Sequence, residues 1–217
     1  MQSKSQEVRP RTDRRREQGQ RSRELILDSA SRIMAQRGYE GTSIAAISAE
    51  TGLPNSSIYW HFKSKAAILA AVMERGAARF FEQAIAHREA GATPRDRLRA
   101  SFTDASRALE SHADFLRLLL LLLLTHQDEQ VSNVVRRVRA EGRARIHEVI
   151  KLAYIDEGAA RATQIADSLA DFGLASFDGT FIASQFNPEL IHANAMHKLA
   201  DAIASLGDQL LRPLDAT

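Results

Sequence analysis

The chain has 217 residues, enough for one small domain and a larger one, and it is nearly balanced in charge, with 29 Lys plus Arg against 27 Asp plus Glu. It holds no cysteine, which excludes disulfides and thiolate metal centres and fits a reducing cytoplasm. The basic excess is uneven: residues 1 to 65 carry 12 basic and 7 acidic side chains, the remainder 17 and 20, so the N-terminal end has the sign that phosphate requires.

Residues 1 to 21 are arginine-rich and lack a periodic apolar face, which predicts a flexible basic arm and not a secretory signal. Arg14, Arg15 and Arg16 read either as a solvated tail or as cations that follow a DNA backbone or enter a minor groove. A first helix follows, with Leu25, Ile26, Ala30, Ile33 and Met34 as its stripe and Gly38 just past its end.

Thr42 to Lys65 then reads as a helix-turn-helix. Ile44 and Ile47 form the apolar side of a short helix, Gly52 supplies the turn, Leu53 fills the angle, and Ile58 with Phe62 bury the back of a second helix. Its other side carries Asn55, Ser56, Ser57, Tyr59, Trp60 and His61. Exposed aromatic side chains are costly unless they meet a partner, and here the partner expected is DNA. Asn55, Ser56, Ser57 and Trp60 are the candidate base contacts, since short hydrogen-bonding ends on a helix suit the major groove. Thr42 and Ser43, at the start of the preceding helix, are candidate phosphate contacts. Lys65 joins them, because a cation at a helix N-terminus is opposed by the dipole unless an anion lies nearby.

Ser64 caps a long fourth helix with Ile68, Leu69, Val72, Met73 and Phe80 inward. Gly91 to Pro94 is a break, with Thr93 as the next cap and Pro94 at the first helical position. The leucine run from Leu116 to Leu124 is too short to span a bilayer, which needs ~20 apolar residues, and reads as the buried centre of a bundle. A helix from about Glu129 to Tyr154 follows, its arginines on a solvated face. Gly142 on its apolar stripe marks either room for a ligand or a close helix crossing. Two last helices run from about Ala159 to Gln185 and from Pro188 to Leu211. Phe177 and Phe181 on the first, with Leu199, Ile203 and Leu206 on the second, have spacing suited to a bundle seam between two copies of the chain.

The expected fold is therefore all-α, about nine helices. It comprises the arm over 1–21, a three-helix DNA-binding domain over 22–66 with the fourth helix as linker, and an effector-binding and dimerisation bundle over 67–217. Phe102, Phe115, Leu119, Leu122, Val135 and Phe172 are candidate walls of an effector pocket. No G-x-S-x-G, phosphate-cradling glycine loop or H-E-x-x-H is present, and His192 and His197 lie five apart, off a shared face. No catalytic site, metal or cofactor is expected.

Gly38-Tyr39, Gly41-Thr42-Ser43, Ile47, Gly52-Leu53, the run Ser57 to Phe62 and Ser64-Lys65 resemble the DNA-binding domain of TetR-family transcriptional repressors over roughly residues 22 to 75. The remainder resembles the family only in length and helical plan. The resemblance implies phosphate contacts for Tyr59 and His61, a homodimer closed by a four-helix interface, a double-stranded operator and a small-molecule effector. Three positions depart from the family pattern. Pro54 stands where a capping Ser or Thr is common, shifting the cap to Asn55; Ser48 and Thr51 replace alanines; and Ala45 offers the DNA no basic side chain. An effector-free architectural DNA binder and a helical small-molecule carrier are the alternative readings.

Overall fold

The computed structural model describes residues 11–84, 91–125, 129–187 and 189–212. Within them every regular element is helical: α1 (Arg11–Arg37), α2 (Ile44–Thr51), α3 (Asn55–His61), α4 (Lys65–Ala84), α5 (Pro94–Ser111), α6 (Ala113–Thr125), α7 (Glu129–Ala153), a 3₁₀ turn (Ile155–Glu157), α8 (Ala159–Phe186) and α9 (His192–Leu211). The all-α expectation is met. The chain divides into two compact units, one ending at Val72 and the other beginning at Met73, so α4 starts in the first and finishes in the second.

In the first unit, α1 buries Ile26, Leu27, Ala30, Ile33 and Met34 with Ile47, Ile58, Phe62, Ile68 and Leu69. Leu25, expected on that stripe, is exposed, and Leu27 holds the inward position instead. The helix stops at Gly38, whose φ of 72° is left-handed and whose N–H donates to the Met34 carbonyl. The expected arm ends early, since α1 is already helical at Arg11, and residues 1–10 lie outside the described residues. Residues 15 to 18 are exposed, so burial does not explain the added turns. Arg, Glu and Gln are good helix formers, and a helix nucleated by the apolar half propagates through them at little cost.

The second unit is a bundle in which α7 packs on α8, α5 on α9, and α8 on α9. Helix α5 opens with a capping box: the Thr93 hydroxyl accepts from the Asp96 N–H, and the Asp96 carboxylate accepts from the Thr93 N–H, with Pro94 at the first helical position. Tyr154, wholly buried at the end of α7, donates its hydroxyl to the Ala204 carbonyl at 2.8 Å and also reaches the Asp208 carboxylate at 3.2 Å. Glycine at 207 makes this fit possible, since a Cβ there would lie 2.3 Å from the Tyr154 hydroxyl. Burial, then Asp208, pushes the tyrosine pKa well above its ordinary range.

Three expectations for this unit need correction. The leucine run is half-buried as a set: Leu116, Leu118, Leu119 and Leu122 face the core, while Leu121, Leu123 and Leu124 are exposed. Of the α7 arginines expected on a solvated face, Arg136 and Arg145 bond within α7, while three pair with neighbouring helices. Arg139 meets Asp178 at 2.8 Å and Arg143 meets Asp171 at 2.8 Å, both on α8, and Arg137 reaches Glu74 on α4. The proposed subunit seam is largely interior: Phe177, Phe181, Leu199 and Ile203 are buried within the single chain and Leu206 is half-buried. A side chain already packed in its own core cannot also cover a partner. The apolar side of α8 left outward is instead Phe172, Ala175, Gly179, Ile182 and Phe186, at alternating three- and four-residue spacing.

Candidate DNA-reading surface and effector cavity

The turn between α2 and α3 is held by side chains bonding to nearby backbone. Gly52, at φ 69°, donates its N–H to the Ser48 carbonyl. The Thr51 hydroxyl donates to the Ile47 carbonyl at 2.8 Å and accepts from the Leu53 N–H at 3.3 Å. The Ser48 hydroxyl donates to the Leu53 carbonyl at 2.6 Å. The two residues that read as mere small replacements for alanine therefore lock the angle at which α3 leaves α2.

Pro54 is the N-cap of α3 and makes no side-chain cap bond, while Asn55 is the first helical residue. The cap expected from Asn55 is thus absent, and its carboxamide lies exposed on the outward face with Ser56. Ser57 is half-buried. Ile58 and Phe62 anchor the back of the helix. Tyr59 is 51% exposed and Trp60 74% exposed, the largest apolar exposure in this unit. His61 packs edge-on to Trp60 with ring centroids 4.7 Å apart. Partial burial, and then the Arg23 guanidinium, hold its pKa below the ordinary 6.5.

Two candidate phosphate contacts serve the protein itself. Thr42 is buried, its hydroxyl donating to the Gly38 carbonyl at 2.8 Å and its N–H to the Tyr39 carbonyl, so it braces the loop after α1. Lys65 donates to the Tyr39 carbonyl at 3.0 Å, lies 3.5 Å from the Glu40 carboxylate, and sits 4.1 Å above the Tyr39 ring. The cation at the start of α4 is thereby compensated without DNA. Separations of 25 and 26 residues put these partners beyond sequence pattern. Ser64 does cap α4, accepting from the Ala67 N–H at 3.1 Å. Ser43 remains exposed; its oxygen accepts from the Ala46 N–H, leaving the hydroxyl proton to donate outward. Lys63, between α3 and α4, is an exposed cation that sequence reading passed over.

The second unit holds a cavity, open at its mouth, between α4, α5, α6, α7 and α8. Phe80, Phe81, Phe102, Phe115 and Phe177 form an aromatic wall. Phe80 is central to it, with ring centroids 5.3 Å from Phe81, 6.0 Å from Phe115 and 5.7 Å from Phe177. Of the expected walls, Phe102, Phe115 and Leu119 line the cavity; Leu122 and Val135 are buried away from it, and Phe172 faces outward. Gly142 lines it too. A Cβ there would meet Leu174 and Phe81 at an ordinary 3.6 Å, so this glycine leaves room without forcing a close crossing. Phe80, Phe81 and Phe177 were missed as walls because their spacing is also that of ordinary core.

The family described as bacterial regulatory proteins, tetR family, matches residues 26–72, which spans α2 and α3. The chain is 25% identical over 200 residues to YerO, an uncharacterized HTH-type transcriptional regulator of Bacillus subtilis (strain 168), covering 88% of this chain and 68% of that one. Likeness to the HTH-type transcriptional regulator AcrR of Shigella flexneri is 36% over 59 residues, 27% of each protein. Among solved structures, FadR from Bacillus subtilis in complex with stearoyl-CoA shares the fold at a TM-score of 0.65 and 15% identity, over 83% of this chain and 97% of that one. These relatives are regulators and not enzymes. Among the described residues no helix is long and apolar enough to cross a membrane. Residues 26–72 thus carry a DNA-binding domain of the tetR family of bacterial regulatory proteins, and it lies in the first unit.

Proposed function

We propose that the protein is a homodimeric, cytoplasmic repressor that holds a palindromic double-stranded operator and is released when a small apolar effector enters the cavity. The observation that carries this reading is the continuity of α4. Its first turn is capped and clamped in the DNA-binding unit by Ser64 and Lys65, and its last turns supply Phe80, Phe81 and Ala84 to the cavity wall. A ligand that displaces those aromatic side chains acts on the helix whose first turn belongs to the reading head, which offers the two sites a physical route for coupling. The fatty-acyl ligand of the FadR neighbour is consistent with an apolar effector.

In this reading Asn55, Ser56, Ser57 and Trp60 face bases, while Ser43, Tyr59, His61 and Lys63 face phosphates. The outward stripe Phe172, Ala175, Gly179, Ile182 and Phe186 on α8 meets the same stripe of a second copy, with Gly179 allowing close approach. Sequencing of fragments retained from a random DNA library should return a twofold site with half-sites about one helical turn, ~34 to 36 Å, apart. Apolar compounds that raise the melting temperature should then lower affinity for that site. Retention without sequence preference would overturn the operator reading, and stabilising compounds that never release DNA would overturn the effector reading.

A further inference from the structure

A second, more polar recess opens between α5 and α7 and shares three wall residues with the aromatic cavity: Ser101, Arg145 and Val149. The charged groups lining the recess are Arg97, Arg145 and Glu148. Resting on the effector reading above, we propose that the effector is an amphipathic anion: its apolar body lies in the phenylalanine-lined compartment and its anionic head lies in the recess against Arg145 and Arg97.

Three observations support this. First, the inner compartment gives a polar head little to bond, since the Arg139 and Asp178 charges at its edge already satisfy each other at 2.8 Å. A charged group left there would be desolvated without compensation, so the polar end belongs in the recess. Second, the guanidiniums have donors to spare. A guanidinium carries five N–H donors. Arg97 directs Nε to the Gly91 carbonyl, Nη1 to the Ala153 carbonyl and Nη2 to Asp156, and Arg145 directs Nη2 to Glu141. Third, the carboxylates that pair with them, Asp156 and Glu141, are exposed and not part of the recess wall. The Arg145–Glu141 pair is exposed on both sides, and a pair of this kind is weak and readily exchanged for a better-placed anion, whereas Arg97 is held in place by its two carbonyl bonds. Within the wall itself, two cations face one carboxylate, Glu148.

Titration calorimetry with dodecanoate and with the uncharged dodecanol, both below their aggregation limits, tests the assignment. Dodecanoate should bind wild-type protein about tenfold or more tightly than the alcohol, because a charge-assisted contact exceeds a neutral one. Arg145→Gln should erase that preference, Arg145→Lys should restore part of it, and Glu148→Gln should tighten dodecanoate alone. Dodecanol still bound by Arg145→Gln verifies a folded cavity, and the comparison is made on the ratio of the two affinities within each variant. Equal affinity for the two probes, or a preference indifferent to Arg145→Gln, overturns the anionic head while sparing an apolar effector. If neither probe binds, the proposal and the apolar-effector reading fall together.

Discussion

The two units spend their polar side chains differently. In the first, Ser48, Thr51 and Thr42 each bond to backbone no more than five residues away, which fixes a tight turn and leaves one face of α3 bare. In the second, Arg139 with Asp178, Arg143 with Asp171 and Arg99 with Asp201 join helices across 28 to 102 residues of chain, and the space they frame is apolar. Local bonds make a rigid small surface whose geometry hardly depends on the rest of the protein. The pairs that lie in water, Arg143 with Asp171 and Arg99 with Asp201, orient helices without rigidifying them, because each is individually weak and screened. A reading head needs the first kind of construction, and a ligand-responsive bundle tolerates the second.

The largest effect that would sharpen this contrast is expected at a tightly interlocked place in the second unit. Gly207→Ala puts a Cβ 2.3 Å from the Tyr154 hydroxyl and 2.5 Å from its ring carbon, against a fully buried side chain. Overpacking of this kind costs about 1–3 kcal/mol, measurable by urea denaturation. Tyr154→Phe in the same background should not recover the whole loss, since the ring carbons remain close. Full recovery would mean the hydroxyl alone sets the fit.

Next is Asn55→Ala, expected to cost ~1 to 3 kcal/mol in affinity for the selected operator and to relax preference at one position per half-site. Lys65→Ala should instead lower stability before it changes DNA affinity, because its partners are Tyr39 and Glu40. If both variants weaken binding with intact stability, Lys65 reaches phosphate after all. A smaller loss, about 1 kcal/mol, is expected for Thr51→Val, which keeps the shape but removes the bonds to Ile47 and Leu53. By contrast, Asp171→Asn on the second unit should change stability too little to resolve, although Arg143 holds that carboxyl below its ordinary range.

What was legible in the sequence follows the same division. The caps at Ser64 and Thr93, the left-handed Gly38 and Gly52, and the buried Ile47, Ile58 and Phe62 all depend on residues within one or two turns, where periodicity and turn chemistry apply. Phe177 and Phe181, expected at a seam between two copies, turn inward because α8 is apolar on more than one side. Periodicity cannot tell which side its own core takes, and the answer came from packing against α7 and α9. Phe177 was missed as a cavity wall for the same reason. The clamp on Lys65 was invisible because its partners lie on the far side of two helices. The recess between α5 and α7 depends on Arg97 and Arg145, which on a helical wheel are two more surface arginines.

The last expected effect concerns pH and separates stability from binding at His61. Burial and Arg23 hold its folded pKa below 6.5, so the unfolded chain takes up a proton first as the solution is acidified. Its contribution to stability is therefore complete above pH 6.5 and is lost as pH falls through that value toward the folded pKa. His112 in the second unit, also lowered by burial and then by a nearby arginine, Arg79, contributes in the same direction. DNA binding should move the opposite way. If His61 lies against a phosphate, the anion favours the protonated ring, so operator affinity should rise between pH 7.5 and 6 while the melting temperature falls. A pKa raised by one unit on binding corresponds to at most about tenfold per half-site. His61→Gln should abolish the rise in affinity and keep the part of the stability loss that belongs to His112. An affinity that falls together with the melting temperature, or rises equally in His61→Gln, would remove His61 from the phosphate contacts and leave it as packing for Trp60.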